Sequence, residues 1–344
     1  MHKKISMSRS TDVVRPRFLF VFLIAFVLFF RAAAQQTHEE VVRPVDYLLA
    51  LPDGYKDDTV KKWPLILFLH GSGESGADLE KVKVHGPPKL IEQGKKLPFI
   101  VVSPQAPEAR LGWQTEDLYF LLQECKRRYR VDADRIYLTG LSMGGFGAWA
   151  LAIKHPEEFA AVVPICGGGD TADIWKLRNM PVWCFHGGKD STVPIARDRE
   201  MVEALRRYNP SVRFTVYPEL GHNSWTVTYE NDSLYQWMLT KTKFSYPESP
   251  VDAGVLKQYT GTYTAHESGQ LDTVVISVDD GKLRATVRSK EAFELKHASD
   301  NIFFIQGNLP VDIRFSRNAA GKVTGFVVYE NERIRFEKLL PGKK

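Results

Sequence analysis

Gly140-Leu141-Ser142-Met143-Gly144-Gly145 is the stretch of sequence that most constrains the fold. It follows the apolar run 135–139 and leads into the helix-like run 146–152. A serine between small residues at a strand-to-helix turn is typical of a nucleophile elbow, where the serine backbone is strained and crowding forbids side chains two positions away on either side. We therefore expect the Ser142 hydroxyl to project above a sheet at a helix N-terminus, where backbone N–H groups can bind an oxyanion.

The five-residue pattern alone is weak, because a glycine-rich turn can serve only close packing. In a fold with this elbow, an acid and then a histidine follow the serine along the chain, each after a later strand. Asp190 follows the strand-like run 181–186, and His222 follows the run 212–218. Alone, Asp190 could cap a helix and His222 could lie on the surface. Their order and placement favour a Ser142-His222-Asp190 catalytic triad.

An earlier strand-like run, 63–69, stops at the glycine-rich segment 70–76. A His-Gly turn in this position supplies the second oxyanion donor, which we assign to the backbone N–H of Ser72, paired with the N–H of Met143. The alternative for the glycines is an ordinary flexible turn. For His70 a structural role is favoured over a catalytic one.

These residues resemble the α/β-hydrolase superfamily, and within it the predicted-peptidase and carboxylesterase branch near prolyl-oligopeptidase-like, feruloyl and acetylxylan esterases. Many relatives have Gly-Glu-Arg-Gly where this chain has Gly73-Glu74-Ser75-Gly76, so a role for that arginine is not carried over. The resemblance covers about residues 40 to 242 and rests on Tyr47 to Pro52 with Gly54-Tyr55, the 70–76 loop, Trp113-Gln114, the 140–147 elbow, Pro164 to Gly169, Phe185 to Gly187 with Asp190, and Gly221-His222.

The pattern and the resemblance together predict a serine hydrolase that cleaves carboxylic esters through an acyl-enzyme, without a metal or organic cofactor. Trp113, Gln114 and Trp225 lie in loops expected to border the site, where aromatic rings could stack on a sugar or aryl group or could simply pack in the core. The expected substrate is a small or polysaccharide-linked ester, such as an acetyl or feruloyl ester. The alternatives are a prolyl-oligopeptidase-like peptidase and a non-catalytic protein that binds glycan or protein.

Residues 1–34 read as a secretory signal peptide. Basic residues precede the 13-residue apolar run Phe18 to Phe30, which is too short for an ordinary membrane crossing, and Ala34 ends a small-residue cleavage site. An uncleaved anchor is the alternative, because Arg31 lies close to that site. These residues carry all of the chain's net charge of +5, so the mature protein is about neutral and nucleic-acid binding is not indicated. We therefore expect a secreted or periplasmic protein.

The remaining 310 residues divide by pattern. Strand-like and helix-like runs alternate over 35–246, which predicts an α/β-hydrolase sandwich with a mostly parallel sheet. A short linker, 247–250, leads to period-two alternation over 251–344, with a hairpin signal at Asp280-Gly281, which predicts a small all-β domain, a barrel or a strongly curved sheet. In Tyr259 to Tyr263 and Gly321 to Phe326, this domain resembles the lipocalin-like β domain often appended to secreted serine hydrolases. The three cysteines lack metal-site or disulfide spacing, and Cys166 and Cys184 read as buried apolar residues.

Overall fold

The computed structural model describes residues 45–339 except 268–269, 288–290, 308–310 and 331. The predicted signal peptide and its cleavage site lie outside the described residues. Within the described ranges, no helix combines the length and the apolar character that a membrane crossing requires.

The first part of the described chain is a seven-stranded sheet in the order β1-β3-β2-β4-β5-β6-β7. Strand β1 pairs antiparallel with β3, and every other pairing is parallel, so the predicted α/β architecture with a mostly parallel sheet is confirmed. The strands are β1 Tyr47–Ala50, β2 Trp63–Leu69, β3 Ile100–Pro104, β4 Val131–Leu141, β5 Ala161–Ile165, β6 Trp183–Gly187 and β7 Arg213–Tyr217.

Helices cover both faces of this sheet. Strand β2 is buried along its whole length, and its side chains alternate between two cores. Leu65, Leu67 and Leu69 belong to one core, and Ile66 and Phe68 belong to the other, as period two requires. The α-helices are α1 Gly86–Glu92, α2 Thr115–Arg128, α3 Met143–Lys154, α4 Ala196–Arg206, α5 Trp225–Glu230, α6 Asp232–Leu239 and α7 Ala253–Leu256; the 3₁₀ helices are Ser72–Glu74, Leu79–Val84, Ala109–Leu111, Pro156–Glu158, Ile174–Leu177 and Lys257–Tyr259.

The second part is a closed eight-stranded antiparallel barrel, which confirms the predicted all-β domain. Asp280 and Gly281 join β9 to β10 as a two-residue hairpin turn with φ of 50° and 71°, the positive values that a type I′ turn requires. The strands are β8 Gly261–Glu267, β9 Gln270–Asp279, β10 Lys282–Val287, β11 Glu291–Ser299, β12 Ile302–Ile305, β13 Val311–Arg317, β14 Val323–Tyr329 and β15 Arg333–Lys338.

A buried ion pair joins the barrel to the sheet domain. Arg178, which follows the 3₁₀ helix Ile174–Leu177, donates from Nε to both carboxylate oxygens of Asp312 at 2.8 and 3.1 Å. The Asp312 side chain is fully buried and that of Arg178 is 9% exposed. Trp175 packs its ring against Tyr329 of β14, with centroids 5.7 Å apart. The barrel is therefore fixed to the segment that follows β5 through both charge and aromatic packing.

Candidate active site

Ser142 lies at the turn between β4 and α3, with φ 53° and ψ −118°. A side chain is impossible at either flanking glycine. A Cβ on Gly140 would lie 2.2 Å from the carbonyl oxygen of Gly144, and a Cβ on Gly144 would lie 2.0 Å from the carbonyl oxygen of Leu69. The small residues therefore allow α3 to begin directly against the ends of β2 and β4. The strained serine backbone matches the elbow expected from the sequence.

Three predicted side chains meet above the carboxyl ends of the strands. The Ser142 hydroxyl lies 2.9 Å from His222 Nε2, and His222 Nδ1 lies 2.8 Å from Asp190 Oδ2. Asp190 follows β6 and His222 follows β7, so neighbouring parallel strands deliver both residues to the same edge. In this arrangement the serine can donate to Nε2 while Nδ1–H donates to the carboxylate.

The Asp190 carboxylate is fixed in place by its own loop. Its side chain is fully buried, and Oδ1 accepts backbone N–H groups of Thr192 and Val193, both at 2.9 Å. His222 remains 21% exposed. The carboxylate is thus held firmly while the imidazole can be reached from solvent.

His70 orients the loop that follows β2. Its Nδ1 lies 2.6 Å from the carbonyl oxygen of Gly71, and Ala106 N–H donates to its Nε2 at 3.0 Å. Nδ1 must therefore carry the ring proton. Burial lowers the pKa of His70, which favours this neutral form. Because C=O and N–H of a trans peptide point in opposite directions, the Ser72 N–H points away from His70.

The second predicted donor, Met143 N–H, heads α3, where backbone amides have no acceptor within the helix. A Cβ on Gly144 would lie 2.7 Å from the carbonyl oxygen of His70, so the start of α3 lies against the loop that carries Ser72. The two amides predicted from the sequence are therefore on adjoining segments.

The predicted substrate contacts have different surroundings. Trp113 is half-buried, and its Nε1 donates to the carbonyl oxygen of His70 at 3.1 Å. Trp225 is 9% exposed and meets the His222 ring edge-on, with centroids 5.1 Å apart. Gln114 is exposed, and its amide donates to the carbonyl oxygen of Leu111. The two tryptophans thus pack against or hydrogen-bond to residues of the candidate site. Contact with a substrate stays a prediction for Trp113, Gln114 and Trp225.

Known proteins match both parts of the chain. Residues 109–238 match the dienelactone hydrolase family, and residues 245–341 match DUF3471, a domain of unknown function. A solved structure of a thermostable esterase is 30% identical, with a TM-score of 0.50, and the match covers 58% of this chain and 59% of that one. The chain has an α/β-hydrolase domain.

Two curated relatives of this hydrolase domain are also esterases by name. The chain is 26% identical over 182 residues to a bifunctional acetylxylan esterase/xylanase of Neocallimastix patriciarum, covering 51% of this chain and 26% of that protein. It is 26% identical over 170 residues to "Probable feruloyl esterase C" of Aspergillus terreus, covering 48% of this chain and 62% of that protein. The chain thus spans about a quarter of the first relative and about three fifths of the second.

Some residues around the site were missed by the sequence reasoning. Phe146 is partly exposed one helical turn after Ser142, and the Arg197 guanidinium lies 5.9 Å from the centre of its ring. The spacing of four from the serine was the available signal. Cys166, which the sequence analysis treats only as a buried apolar residue, is buried and has a positive φ of 42°. Its Sγ lies within 4.8 Å of a carboxylate oxygen of Asp190 and of a ring nitrogen of His222. Burial raises the pKa of this thiol, which keeps it neutral.

Proposed function

We propose that the protein is a secreted serine hydrolase that cleaves carboxylic esters. The observation that carries the proposal is the line of hydrogen bonds from the Ser142 hydroxyl through His222 to Asp190, built on a strained strand-to-helix turn. The esterase relatives of the hydrolase domain support the same reaction class.

In the first half of the reaction, the Ser142 oxygen attacks the ester carbonyl carbon while its proton passes to His222 Nε2. The carbonyl π electrons move to oxygen, and the N–H groups of Ser72 and Met143 bind the resulting oxyanion. Asp190 accepts the Nδ1–H of His222 and stabilises the imidazolium. The intermediate then collapses, the carbon–oxygen bond to the alcohol breaks, and His222 returns the proton to the leaving oxygen.

In the second half, water replaces the alcohol. His222 takes a proton from water as the water oxygen attacks the acyl carbon, and the oxyanion forms again at the same two amides. Collapse breaks the bond to Ser142, which regains its proton from His222. The products are the carboxylic acid and free enzyme, and the cycle needs only groups of this chain and water.

Carbohydrate-linked acetyl or feruloyl esters are the proposed substrates. The two curated relatives support this class by their names. The partly exposed ring of Phe146 lies one turn after Ser142, and the half-buried ring of Trp113 lies against the start of the 70–76 loop. The face of a sugar or aryl group could pack on these rings. Such contacts would raise kcat/KM for these esters over short alkyl esters of equal reactivity.

The decisive test is the Ser142→Ala variant assayed on p-nitrophenyl acetate. We expect a loss of roughly 10⁴-fold to 10⁶-fold with the circular dichroism spectrum unchanged, because the three side chains act as a unit. Ser233→Ala, an exposed serine on α6, is the matched control and should keep full turnover. Full turnover in folded Ser142→Ala would refute the assignment of Ser142 as the nucleophile, whereas a folded wild-type protein without turnover would favour the non-catalytic binding role.

Substrate choice is tested separately by comparing kcat/KM on acetylated xylan oligomers, feruloyl esters, p-nitrophenyl acetate and a proline-containing peptide amide. Preference for the peptide would replace the esterase proposal with the peptidase one.

Secretion is tested by the mass of the exported protein, because cleavage after Ala34 leaves Gln35 as the first residue. An exported chain that keeps residues 1–34 would contradict cleavage.

A further inference from the structure

A second histidine lies buried behind the proposed triad. His186, at the end of β6, has no exposed surface and lies between two buried carboxylates. Its Nδ1 is 2.8 Å from Asp198 Oδ2, and its Nε2 is 3.3 Å from Asp190 Oδ2. The carbonyl oxygen of Val193 also lies 2.9 Å from Nε2. Asp198, Asp190 and the Val193 carbonyl thus all present hydrogen-bond acceptors to the two ring nitrogens of His186.

A neutral imidazole carries one proton and would leave one of its nitrogens facing an acceptor without a hydrogen. From this geometry we infer that His186 is a buried imidazolium that acts as a positioning residue for Asp190, and through it for His222. The inference rests on the proposed function, since it assigns His186 to the same site. His186 itself does not touch the Ser142 hydroxyl in this arrangement, so it acts only through the carboxylate.

Asp198 supplies the opposing charge. Its carboxylate is fully buried and also accepts Trp149 Nε1–H and Gly167 N–H, both at 2.8 Å. Gly167 in turn packs against α3, since a Cβ on it would lie 2.5 Å from the Gly145 carbonyl carbon. Asp198 thus ties α4 to the helix that follows the elbow. Removing the charge of His186 would leave the Asp198 carboxylate buried without this counterion, whereas removing the charge of Asp198 would leave His186 with Asp190 alone.

The other titratable groups near the pair do not alter this balance. Cys166 and Cys184 are buried, and burial raises the pKa of both thiols, so they stay neutral. Burial by itself lowers the pKa of His186, but hydrogen bonding to Asp198 and Val193 and the charges of both carboxylates raise it overall. The direction agrees with the count of acceptors around the ring.

Nitrogen-15 NMR of the intact protein at pH 7 tests the charge directly. We expect both His186 nitrogens to carry protons and the downfield His222 Nδ1–H signal to report its hydrogen bond to Asp190. His186→Gln should weaken or shift that His222 signal, whereas His297→Gln, a histidine change in the barrel, should leave it in place. A single protonated nitrogen on His186, or an unchanged His222 signal in His186→Gln, would overturn the inference.

Kinetics then separate positioning from simple destabilisation. In His186→Gln we expect kcat to fall about 10-fold to 100-fold with little change in KM, because a misplaced base slows chemistry more than binding. Loss of the positive charge also favours the proton on His222, so the acid limb of kcat/KM should move up by about one pH unit. The double variant His186→Gln/Asp198→Asn removes both charges and should return the limb toward its wild-type position.

The two readouts distinguish the two proposals. A wild-type protein that hydrolyses no ester would refute the proposed function, while the NMR signals of His186 and His222 would still decide the present inference. An active His186→Gln enzyme with wild-type kcat and an unmoved acid limb would overturn the positioning role and leave the proposed function intact.

Discussion

Asp312→Asn should loosen the barrel from the hydrolase domain. Asp312 is fully buried and accepts Arg178 Nε at 2.8 Å and Arg314 Nε at 2.9 Å. Asparagine keeps nearly the same shape but removes the negative charge. Two guanidinium groups then face each other across the interface without a counterion. The Arg178 side chain, 9% exposed, cannot recover its hydration without moving.

The expected cost follows from that burial. Removing one partner of a buried ion pair costs about 3–5 kcal/mol, whereas an exposed pair is worth at most about 1 kcal/mol. The Arg178 guanidinium also lies 4.8 Å from the centre of the Tyr329 ring, and this contact persists in the variant. We therefore expect the lower end of the range, about 3 kcal/mol.

Urea unfolding followed by limited proteolysis in the segment 241–252 measures this cost, since that segment joins the two parts without helix or strand. The control is Arg178→Met/Asp312→Leu/Arg314→Met, which removes all three charges that meet at Asp312 and fills the space with apolar atoms. It should lie within about 1 kcal/mol of wild type. A loss below 1 kcal/mol in Asp312→Asn, or an equal loss in both variants, would refute the argument that an unpaired buried charge is the cause.

Gly144→Ala should abolish folding, because its Cβ would lie 2.0 Å from the carbonyl oxygen of Leu69, whereas Gly73→Ala has open space and should fold; soluble yield and circular dichroism distinguish them. His70 has a lowered pKa when folded, so its contribution to stability is complete above about pH 6.5 and is lost as pH falls through the folded value. In His70→Asn, the free energy of unfolding measured in urea should therefore change less between pH 6.5 and pH 5 than it does in the wild type. The same pH dependence in both proteins would contradict this. The isolated segment 40–246 should retain p-nitrophenyl acetate hydrolysis, and complete inactivity of a folded fragment would show that the barrel completes the site.

The parts of the site that could be read from sequence are those where backbone geometry dictates residue type. Gly140 and Gly144 are required by contacts under 2.5 Å, and chain order assigns Asp190 and His222 to loops after successive strands. Such constraints leave a local pattern. The fold class followed in the same way from alternating buried strands and helices.

The sequence could not predict the buried ion pairs, because these form by tertiary contact between residues that are distant along the chain. His186 lies 12 positions before Asp198, and Arg178 lies 134 positions before Asp312. Each side chain is chemically ordinary in sequence, and only burial beside a complementary charge gives it a role. Trp225 is a case that the sequence left open: its position after His222 allowed either stacking on a substrate or packing in the core, and tertiary packing leaves it 9% exposed.

The barrel interior bears on what this second part can do. A lipocalin-like resemblance raises the idea of a ligand held inside an eight-stranded barrel. Here aromatic rings occupy the interior: Phe303, Phe315 and Phe326 are at most 6% exposed, and Phe315 packs on both other rings with centroids 5.6 and 5.2 Å apart. Side chains that pack in this way form a hydrophobic core between these strands. The buried ion pair from Asp312 to Arg178 in turn holds the barrel against the segment that follows β5.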